Sequence, residues 1–331
     1  MSNTFDEFNS WKCLAYAEKC RAILAGKFLP PVVLHVYPTN YCNARCNFCI
    51  MKEEHEKKAK LEKEVFQRLI RSAVDMGIKS IHISGGGEPT LYDQLDIVRD
   101  FPGLKVLSTN GAYLTTGVYR LFDRIRVSLN AGCADTHKKI MGIATFDQVI
   151  ANLRRLRGEN PKPQLGLGFV VSPENWQDIL EFCTLADDIG VDFIHIRPAY
   201  YPRGEQDDNI RKIMEAAYHL CEAAKKCCKT RIFALSDKFD GYWSKREYDK
   251  CLATPLHAVV TATGELIVCQ DVFIRFGNLY KNSLEEIWGS SEHKAAIAKI
   301  KIEECPRCVM TSPNTIIQKV FIENKIMMEL I

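Results

Sequence analysis

Long apolar runs are absent from this 331-residue sequence, so no segment is expected to span a bilayer. A surplus of charge is absent as well. Lys+Arg 44 against Asp+Glu 41 leaves a net +3, too weak a field to gather nucleic acid or an anionic membrane, and neither is expected as a partner. The first residues, Met1-Ser2-Asn3-Thr4-Phe5-Asp6-Glu7, carry neither a basic n-region nor an apolar h-region, which argues against a secretory signal and sets a cytoplasmic expectation. Internal repeats and low-complexity segments are missing, and 47% hydrophobic with 26% charged residues excludes a disordered chain. Cysteine, by contrast, is plentiful. In a reducing compartment 14 cysteines point to metal ligation rather than disulfides wherever their spacing is ordered.

The length suits an α/β barrel plus an appendage. Strands are expected at Val32–Tyr37, Lys79–Ser84, Lys105–Thr109, Arg124–Asn130, Gln164–Val171 and Asp192–Arg197, six in all. Helical patterns lie between them at Leu61–Met76, Tyr113–Phe122, Phe146–Arg157 and Asn175–Ile189, the last closed by Gly190. Such alternation specifies right-handed βαβ units and a parallel sheet. A packed parallel sheet has apolar strands on both faces, but these alternate. In Ile81-His82-Ile83-Ser84, Ile125-Arg126-Val127-Ser128-Leu129-Asn130 and Ile194-His195-Ile196-Arg197 one face is aliphatic and the other polar, and Leu34 and Val36 alternate with His35 and Tyr37. With the aliphatic face against the helices, His35, His82, Ser84, Arg126, Ser128, Asn130, His195 and Arg197 converge on a wet interior cavity.

Beyond Tyr200-Tyr201-Pro202-Arg203-Gly204 the pattern changes to a helix over Asn209–Lys226, then to short segments. Ala258–Thr261 and Glu265–Cys269 read as a hairpin around Ala262-Thr263-Gly264, and Thr315–Ile331 as an apolar helix docked on the body or on a partner.

Cys42-Asn43-Ala44-Arg45-Cys46-Asn47-Phe48-Cys49 follows the first strand. Three thiolates cannot close a tetrahedral zinc site unaided, but they can bind three irons of a [4Fe–4S] cube and leave the fourth open to a chelating ligand. A zinc loop completed by a distant His is the alternative. With this C-x3-C-x2-C loop the sequence resembles the radical S-adenosylmethionine (SAM) superfamily. The resemblance implies that SAM chelates the open iron and is cleaved by one electron to methionine and a 5′-deoxyadenosyl radical.

Companion segments occur in the order the resemblance implies. Gly85-Gly86-Gly87-Glu88-Pro89 resembles the GGE element that receives the SAM amino group, with glycines that let backbone carbonyls approach the ligand. Ser108-Thr109-Asn110-Gly111 is similar to the TNG segment. Ser128-Leu129-Asn130 is similar to a segment near the SAM ribose and carboxylate, with Asn130 in place of the common acid. In His137-Lys138-Lys139-Ile140-Met141-Gly142, Met141 stands where many relatives place an Arg for the SAM carboxylate, and Lys138 or Lys139 is the expected substitute. The cofactor set implied is thus Phe48, Gly86, Gly87, Glu88, Ser108, Asn110, Ser128 and Asn130. It sits at strand C-terminal ends, where α/β barrels build active sites.

Cys251, then Gly264 and Cys269, then Cys305-Pro306-Arg307-Cys308 form a four-cysteine set that by spacing suits zinc or iron–sulfur equally. Behind a radical SAM barrel it resembles the SPASM/twitch extensions with auxiliary [4Fe–4S] clusters. With no Cys after Cys308, it is similar to the shorter twitch form of aminocyclitol dehydrogenases. The remaining cysteines read as buried small hydrophobes, and Cys133, nearest the expected cavity, is the candidate hydrogen-atom donor.

The expected architecture is therefore α/β: a partial (β/α)6 TIM-like barrel over 32–230, preceded by a helical extension over 1–31. A small twitch-like domain of β-hairpin and helices follows over 231–312, with a C-terminal helix over 313–331. The chain is expected to abstract hydrogen from a C–H bond of a polar small molecule of sugar or aminocyclitol type, for oxidation or epimerisation. His35, His82, Arg126, His195, Arg197 and Tyr200, with Tyr201 and Arg203, contact it in this reading. Radical modification of a ribosomally made peptide is the second expectation, although only about thirty residues precede the first strand, few for a separate peptide-recognition domain. A non-catalytic iron–sulfur or zinc protein is the third. A reducing partner such as flavodoxin or ferredoxin is implied by the family.

Overall fold

The computed structural model describes residues 10–159, 163–199, 208–234, 238–239, 246–305, 308 and 310–323. Seven parallel strands form the barrel wall: β1 Val33–Val36, β2 Ser80–Ile83, β3 Leu104–Thr109, β4 Arg124–Ser128, β5 Gln164–Val171, β6 Phe193–Pro198 and β7 Arg231–Phe233. Six were expected. The seventh has three residues, too few to carry a periodic signal, and it pairs parallel to β6 so that the wall runs past the expected limit at 230. On the other flank, β8 (His257–Val260) pairs parallel to β1. β9 (Glu265–Ile267) and β10 (Arg275–Asn278) then add antiparallel. One ten-stranded sheet results, in the order β10-β9-β8-β1-β2-β3-β4-β5-β6-β7, so the hairpin domain continues the barrel wall instead of standing apart from it.

Strand alternation positions the interior. Leu34, Val36, Ile81, Ile83, Ile125, Val127, Leu165, Leu167, Ile194 and Ile196 point outward and are buried against helices. The helix Lys63–Asp75 meets them with Val65, Phe66, Leu69, Ile70 and Ala73, a stripe at helical spacing. His35, His82, Ser108, Arg126, Ser128, His195 and Arg197 sit on the opposite face and keep partial accessibility deep inside the molecule, because the lumen is hollow.

Two glycines make room in it for neighbouring side chains. A Cβ on Gly166 would lie 2.3 Å from the Phe193 ring, and one on Gly168 would lie 3.3 Å from Cδ of Arg126. β5 thus lends its inward positions to side chains from its neighbours.

The C-terminal region is bound to the barrel by Arg68 donating to Leu279 O (3.0 Å) and Ser72 Oγ to Glu285 (2.8 Å). The helix Thr311–Ile317, continued by a π-helical turn Gln318–Ile322, starts earlier than expected and docks on the body. Ile316 and Ile317 pack with Cys13, Cys20, Val32, Leu252 and Leu256, joining the N-terminal helices to the Cys251 loop.

Candidate radical site and auxiliary cluster cradle

The loop after β1 is tied down on three sides. Gly87 N–H donates to Thr39 O and Glu88 N–H to Tyr41 O, each at 2.8 Å. Arg45 N–H donates to Met141 O (2.9 Å) and Asn47 N–H to Ile140 O (3.0 Å). Asn110 Nδ2 donates to Asn43 Oδ1 (2.7 Å). These ties bring Cys42, Cys46 and Cys49 onto one wall of a cavity of about 240 Å³, opposite Ser84–Glu88, Ser108–Asn110 and Ser128. Phe48 lines it as well and packs, with Cys42 and Cys46, against Ala44, Ile140 and Met141. Gly142 ends the helix Ala134–Met141 in the left-handed region at φ 66°, and a Cβ there would meet Arg45 O at 3.0 Å, so only glycine lets that helix end abut the cysteine loop.

The glycines of 85–87 line this cavity and also meet the loop after β1. A Cβ on Gly86 would lie 2.3 Å from Asn40 Oδ1 and one on Gly87 2.1 Å from Tyr41 O. Their lack of side chain lets two loops press together.

The Glu88 carboxylate is held within the protein. The residue is 3% exposed, and its carboxylate accepts from Thr90 N (3.0 Å), Thr90 Oγ1 (2.7 Å), Thr109 Oγ1 (2.5 Å) and Asn110 N (2.7 Å). Burial raises its pKa while those donors oppose the rise. A carboxylate with four donors is already satisfied, so it staples the β2 loop to the β3 loop and leaves the cavity face of this element to backbone groups.

Asn130, also on the cavity wall, has φ 61°, a conformation asparagine tolerates. Its Oδ1 accepts from Val170 N (2.8 Å), and its Nδ2 donates to Ser128 O (3.3 Å) and approaches Met141 Sδ (3.2 Å). An aspartate could accept the first bond but could not donate the others. Met141 is buried with its sulfur 3.5 Å from Cys46 Sγ. Lys138 and Lys139 do not replace the absent Arg: the helix turns both outward to solvent. Cys133 is likewise not among the cavity-lining residues. It precedes that helix, 3.4 Å from Thr136 Oγ1 and 4.0 Å from Asp178 Oδ2. Tyr200, Tyr201 and Arg203 lie outside the described residues.

Beneath the cysteine loop, Arg126 and Arg197 reach the cavity wall, whereas His35, His82 and His195 form a deeper layer below it. Arg126 donates to His195 Nδ1 (3.0 Å) and to Ser108 Oγ (3.1 Å), and Ser108 lies 2.9 Å from His82 Nε2. A guanidinium can only donate, so His195 accepts at Nδ1 and is neutral. The electrostatics of both imidazoles agree: burial, then the Arg126 charge, lowers His82 to about 3, and the same causes hold His195 well below its usual value. Arg126 falls to about 10 through burial and the neighbouring Arg197 and Arg124.

Sequence reasoning missed Gln270, which comes from the C-terminal region to line the same cavity and accepts from Tyr37 Oη (3.3 Å). Its position directly after a cysteine ligand candidate was the available signal.

The second set converges too. Cys251, Cys269, Cys305 and Cys308 line one enclosed gap with Tyr248, Asp271, Val272, Ile300 and Met310. Leu252 and Ala253 N–H groups donate to Asn314 Oδ1 (2.6 and 2.8 Å), which fixes the backbone beside Cys251. Asp271, absent from the sequence expectation, raises the Cys269 thiol pKa after burial, the larger cause. Of the other cysteines, Cys13, Cys20, Cys183 and Cys221 are buried in the core, whereas Cys227 is exposed.

Both sets fit iron–sulfur clusters. In the first, burial and the adjacent thiols push Cys46 up to about 12, and burial pushes Cys42 to about 11. Thiols crowded without a nearby cation have the environment that a bound cationic iron would reverse. Among the described residues no three His, Cys, Asp or Glu side chains converge on a single-ion position. A cluster, in which each thiolate binds a different iron, does not require them to.

Comparison with known proteins agrees with this geometry. The profile of the radical SAM superfamily matches residues 36–186, and that of the SPASM iron–sulfur cluster-binding domain matches residues 251–309. A probable GTP 3',8-cyclase of Saccharolobus islandicus strain M.14.25 is 35% identical over 200 residues, 55% of this chain and 63% of the relative. One of Sulfurisphaera tokodaii is 33% identical over 217 residues, 60% of this chain and 69% of the relative. The first-named relative is thus matched over less than two thirds of its length. Among solved structures, Streptococcus suis SuiB bound to precursor peptide SuiA superimposes with a TM-score of 0.66 at 16% identity, over 92% of this chain and 77% of that one. Native anSMEcpe with bound AdoMet gives 0.62 at 17%, over 86% and 88%. The chain belongs to the radical SAM superfamily. It is a radical SAM enzyme whose SPASM-type C-terminal domain carries an auxiliary iron–sulfur cluster.

Proposed function

We propose that this enzyme modifies a ribosomally made peptide by abstracting hydrogen from one of its C–H bonds. The observation that carries this reading is the extent of the structural correspondence. The fold corresponds over 92% of the chain to a protein whose structure was solved bound to a precursor peptide, and over 86% to one solved with AdoMet and the Cp18Cys peptide.

Cys42, Cys46 and Cys49 would hold the first cluster, with backbone groups of Gly85–Gly87 and the walls at Ser108, Asn110, Ser128 and Asn130 placing SAM beside it. The cofactor, when bound and reduced, supplies a 5′-deoxyadenosyl radical for hydrogen abstraction. The chain's own contribution is to orient the target carbon and keep water from it. Phe48, Met141 and Val170 line the cavity with apolar surface, and Arg126 and Arg197 give it a polar floor. Cys251, Cys269, Cys305 and Cys308 would hold the second cluster in full thiolate ligation, which suits electron transfer rather than substrate binding. Tyr37 and Gln270 stand where the two regions meet.

A polar small molecule of sugar or aminocyclitol type is the second reading, favoured by the Arg126–Ser108–His195 floor. For it, oxidation suits the site better than epimerisation, because Cys133 is not on the cavity wall.

The test is anaerobic incubation of the reconstituted enzyme with SAM, a reductant and the products of short open reading frames adjoining its gene, followed by mass spectrometry. A peptide losing two hydrogens, or exchanging one with solvent deuterium, together with 5′-deoxyadenosine is the expected result. Stimulation of 5′-deoxyadenosine by hydroxylated or phosphorylated small molecules, with every peptide unchanged, would overturn the peptide reading. Failure to form 5′-deoxyadenosine under any condition would point to a non-catalytic scaffold.

A further inference from the structure

The floor of the cavity gathers positive charge where a neutral lining would be simpler. Arg126 lies deep in the lumen, and both of its hydrogen-bonding partners are neutral: His195 Nδ1 and Ser108 Oγ. Arg197, two residues beyond His195 on the same face of β6, reaches the same cavity. Arg124, one layer below, stacks on the Phe193 ring with its Cζ 4.0 Å from the centroid, and Lys238 adds its field at His195. Among the described lining residues one is a carboxylate, Glu88, and both of its oxygens are taken by Thr90, Thr109 and Asn110. Gly168 leaves room for the Arg126 stem to lie across β5, so the fold gives up a side chain to seat this guanidinium. Adjacent like charges in a low-dielectric interior repel and are costly to desolvate, and an anion entering through the cavity relieves both.

We propose that Arg126 and Arg197 form an anion-binding subsite at the floor of the chamber, which receives a carboxylate or phosphate group carried by the substrate. The planar guanidinium forks match either oxyanion. This rests on the chamber being the substrate's, and it applies to an acidic side chain or C-terminal carboxylate of a peptide as well as to an acidic or phosphorylated small molecule.

The experiment is isothermal titration of the anaerobically reconstituted enzyme, both clusters in place and SAM saturating, with inorganic phosphate and separately with succinate. At least one probe is expected to bind, and Arg126→Gln and Arg197→Gln are each expected to weaken it tenfold or more. Arg154→Gln, at an exposed guanidinium paired with Asp188, is the charge control and leaves probe affinity unchanged. Preference for phosphate assigns a phosphoryl group, and preference for succinate a carboxylate. Should an Arg variant fail to fold, Gly168→Ala displaces the Arg126 stem without removing charge and is expected to weaken the same probe.

Three results would overturn the proposal: no binding of either probe to the wild type, equal weakening in Arg154→Gln, or binding that is found in a parallel titration without SAM and is lost when SAM is present. The last would give the arginines to the cofactor's own carboxylate. Because the titration needs no turnover, an absence of peptide modification would sink the peptide reading and leave this one standing.

Discussion

Glu88→Gln separates two uses of the same residue. If the carboxylate gripped the SAM amino group, the variant would lose SAM affinity at little cost to the fold. The geometry predicts the reverse. Oε1 of Glu88 accepts from three donors, Thr90 N, Thr90 Oγ1 and Thr109 Oγ1, and Oε2 accepts from one, Asn110 N at 2.7 Å. A glutamine minimises conflict by turning its NH2 toward Asn110, which sets donor against donor, leaves at least the Asn110 N–H without an acceptor and replaces charge-assisted bonds with neutral ones. An orphaned buried donor costs about 1–3 kcal/mol. At about 2–4 °C of Tm for each kcal/mol, a fall of roughly 2–12 °C is expected. Thermal unfolding, read by circular dichroism alongside equilibrium dialysis of SAM, gives both quantities. An unchanged Tm with a tenfold loss of SAM affinity would refute the staple and restore the direct contact.

The other predictions concern the cradles and the lumen. Cys46→Ala should abolish 5′-deoxyadenosine formation, whereas Cys269→Ala should retain part of it and impair substrate conversion; chromatography of both products decides. Gly87→Ala, which drives a Cβ against Tyr41 O, should reduce iron incorporation at the first cluster more than Gly166→Ala does. Gly166→Ala should instead cost about 1–3 kcal/mol by overpacking Phe193, measured by urea unfolding.

Stability should also fall with acid. His82 and His293 are lowered to about 3 and His257 to about 4 by burial, so the folded protein keeps them neutral while the unfolded chain takes up protons below about pH 6.5. Their contribution is fully present above that pH and is lost toward the folded values, each by about 2 kcal/mol at pH 5. His293→Phe should soften the loss between pH 7 and 5, and an identical pH profile would remove His293 as a cause.

How much of this was readable beforehand depended on whether the signal was local. The cysteine spacings and the strict alternation of Ile125-Arg126-Val127-Ser128 are local, and from them came the barrel, the hollow lumen and both cradles. The three-residue β7 is too short to read, and its parallel pairing with β6 is a tertiary fact. Lys138 and Lys139 were misplaced because a charge in the right stretch says nothing of the helix face it occupies, and the helix Ala134–Met141 was not foreseen. Glu88 was legible as part of its motif, but the four donors on its carboxylate come from two loops, and that convergence is a tertiary fact. Gln270 meets Tyr37 across 233 positions of sequence, and no pattern within either segment announces that contact.

The central claim is that this chain carries a SAM-cleaving cluster at Cys42, Cys46 and Cys49 and a second, independent cluster at the C-terminal cysteines. Iron and sulfide content after anaerobic reconstitution tests it most directly, measured with zinc and the EPR spectrum in the wild type and in a Cys42/Cys46/Cys49 triple-Ala variant. The account predicts about eight irons per chain in the wild type and about four in the variant, with negligible zinc. About four irons with one equivalent of zinc in the wild type, falling to zinc alone in the variant, would contradict it by making the C-terminal site structural and leaving the radical chemistry with no second redox centre.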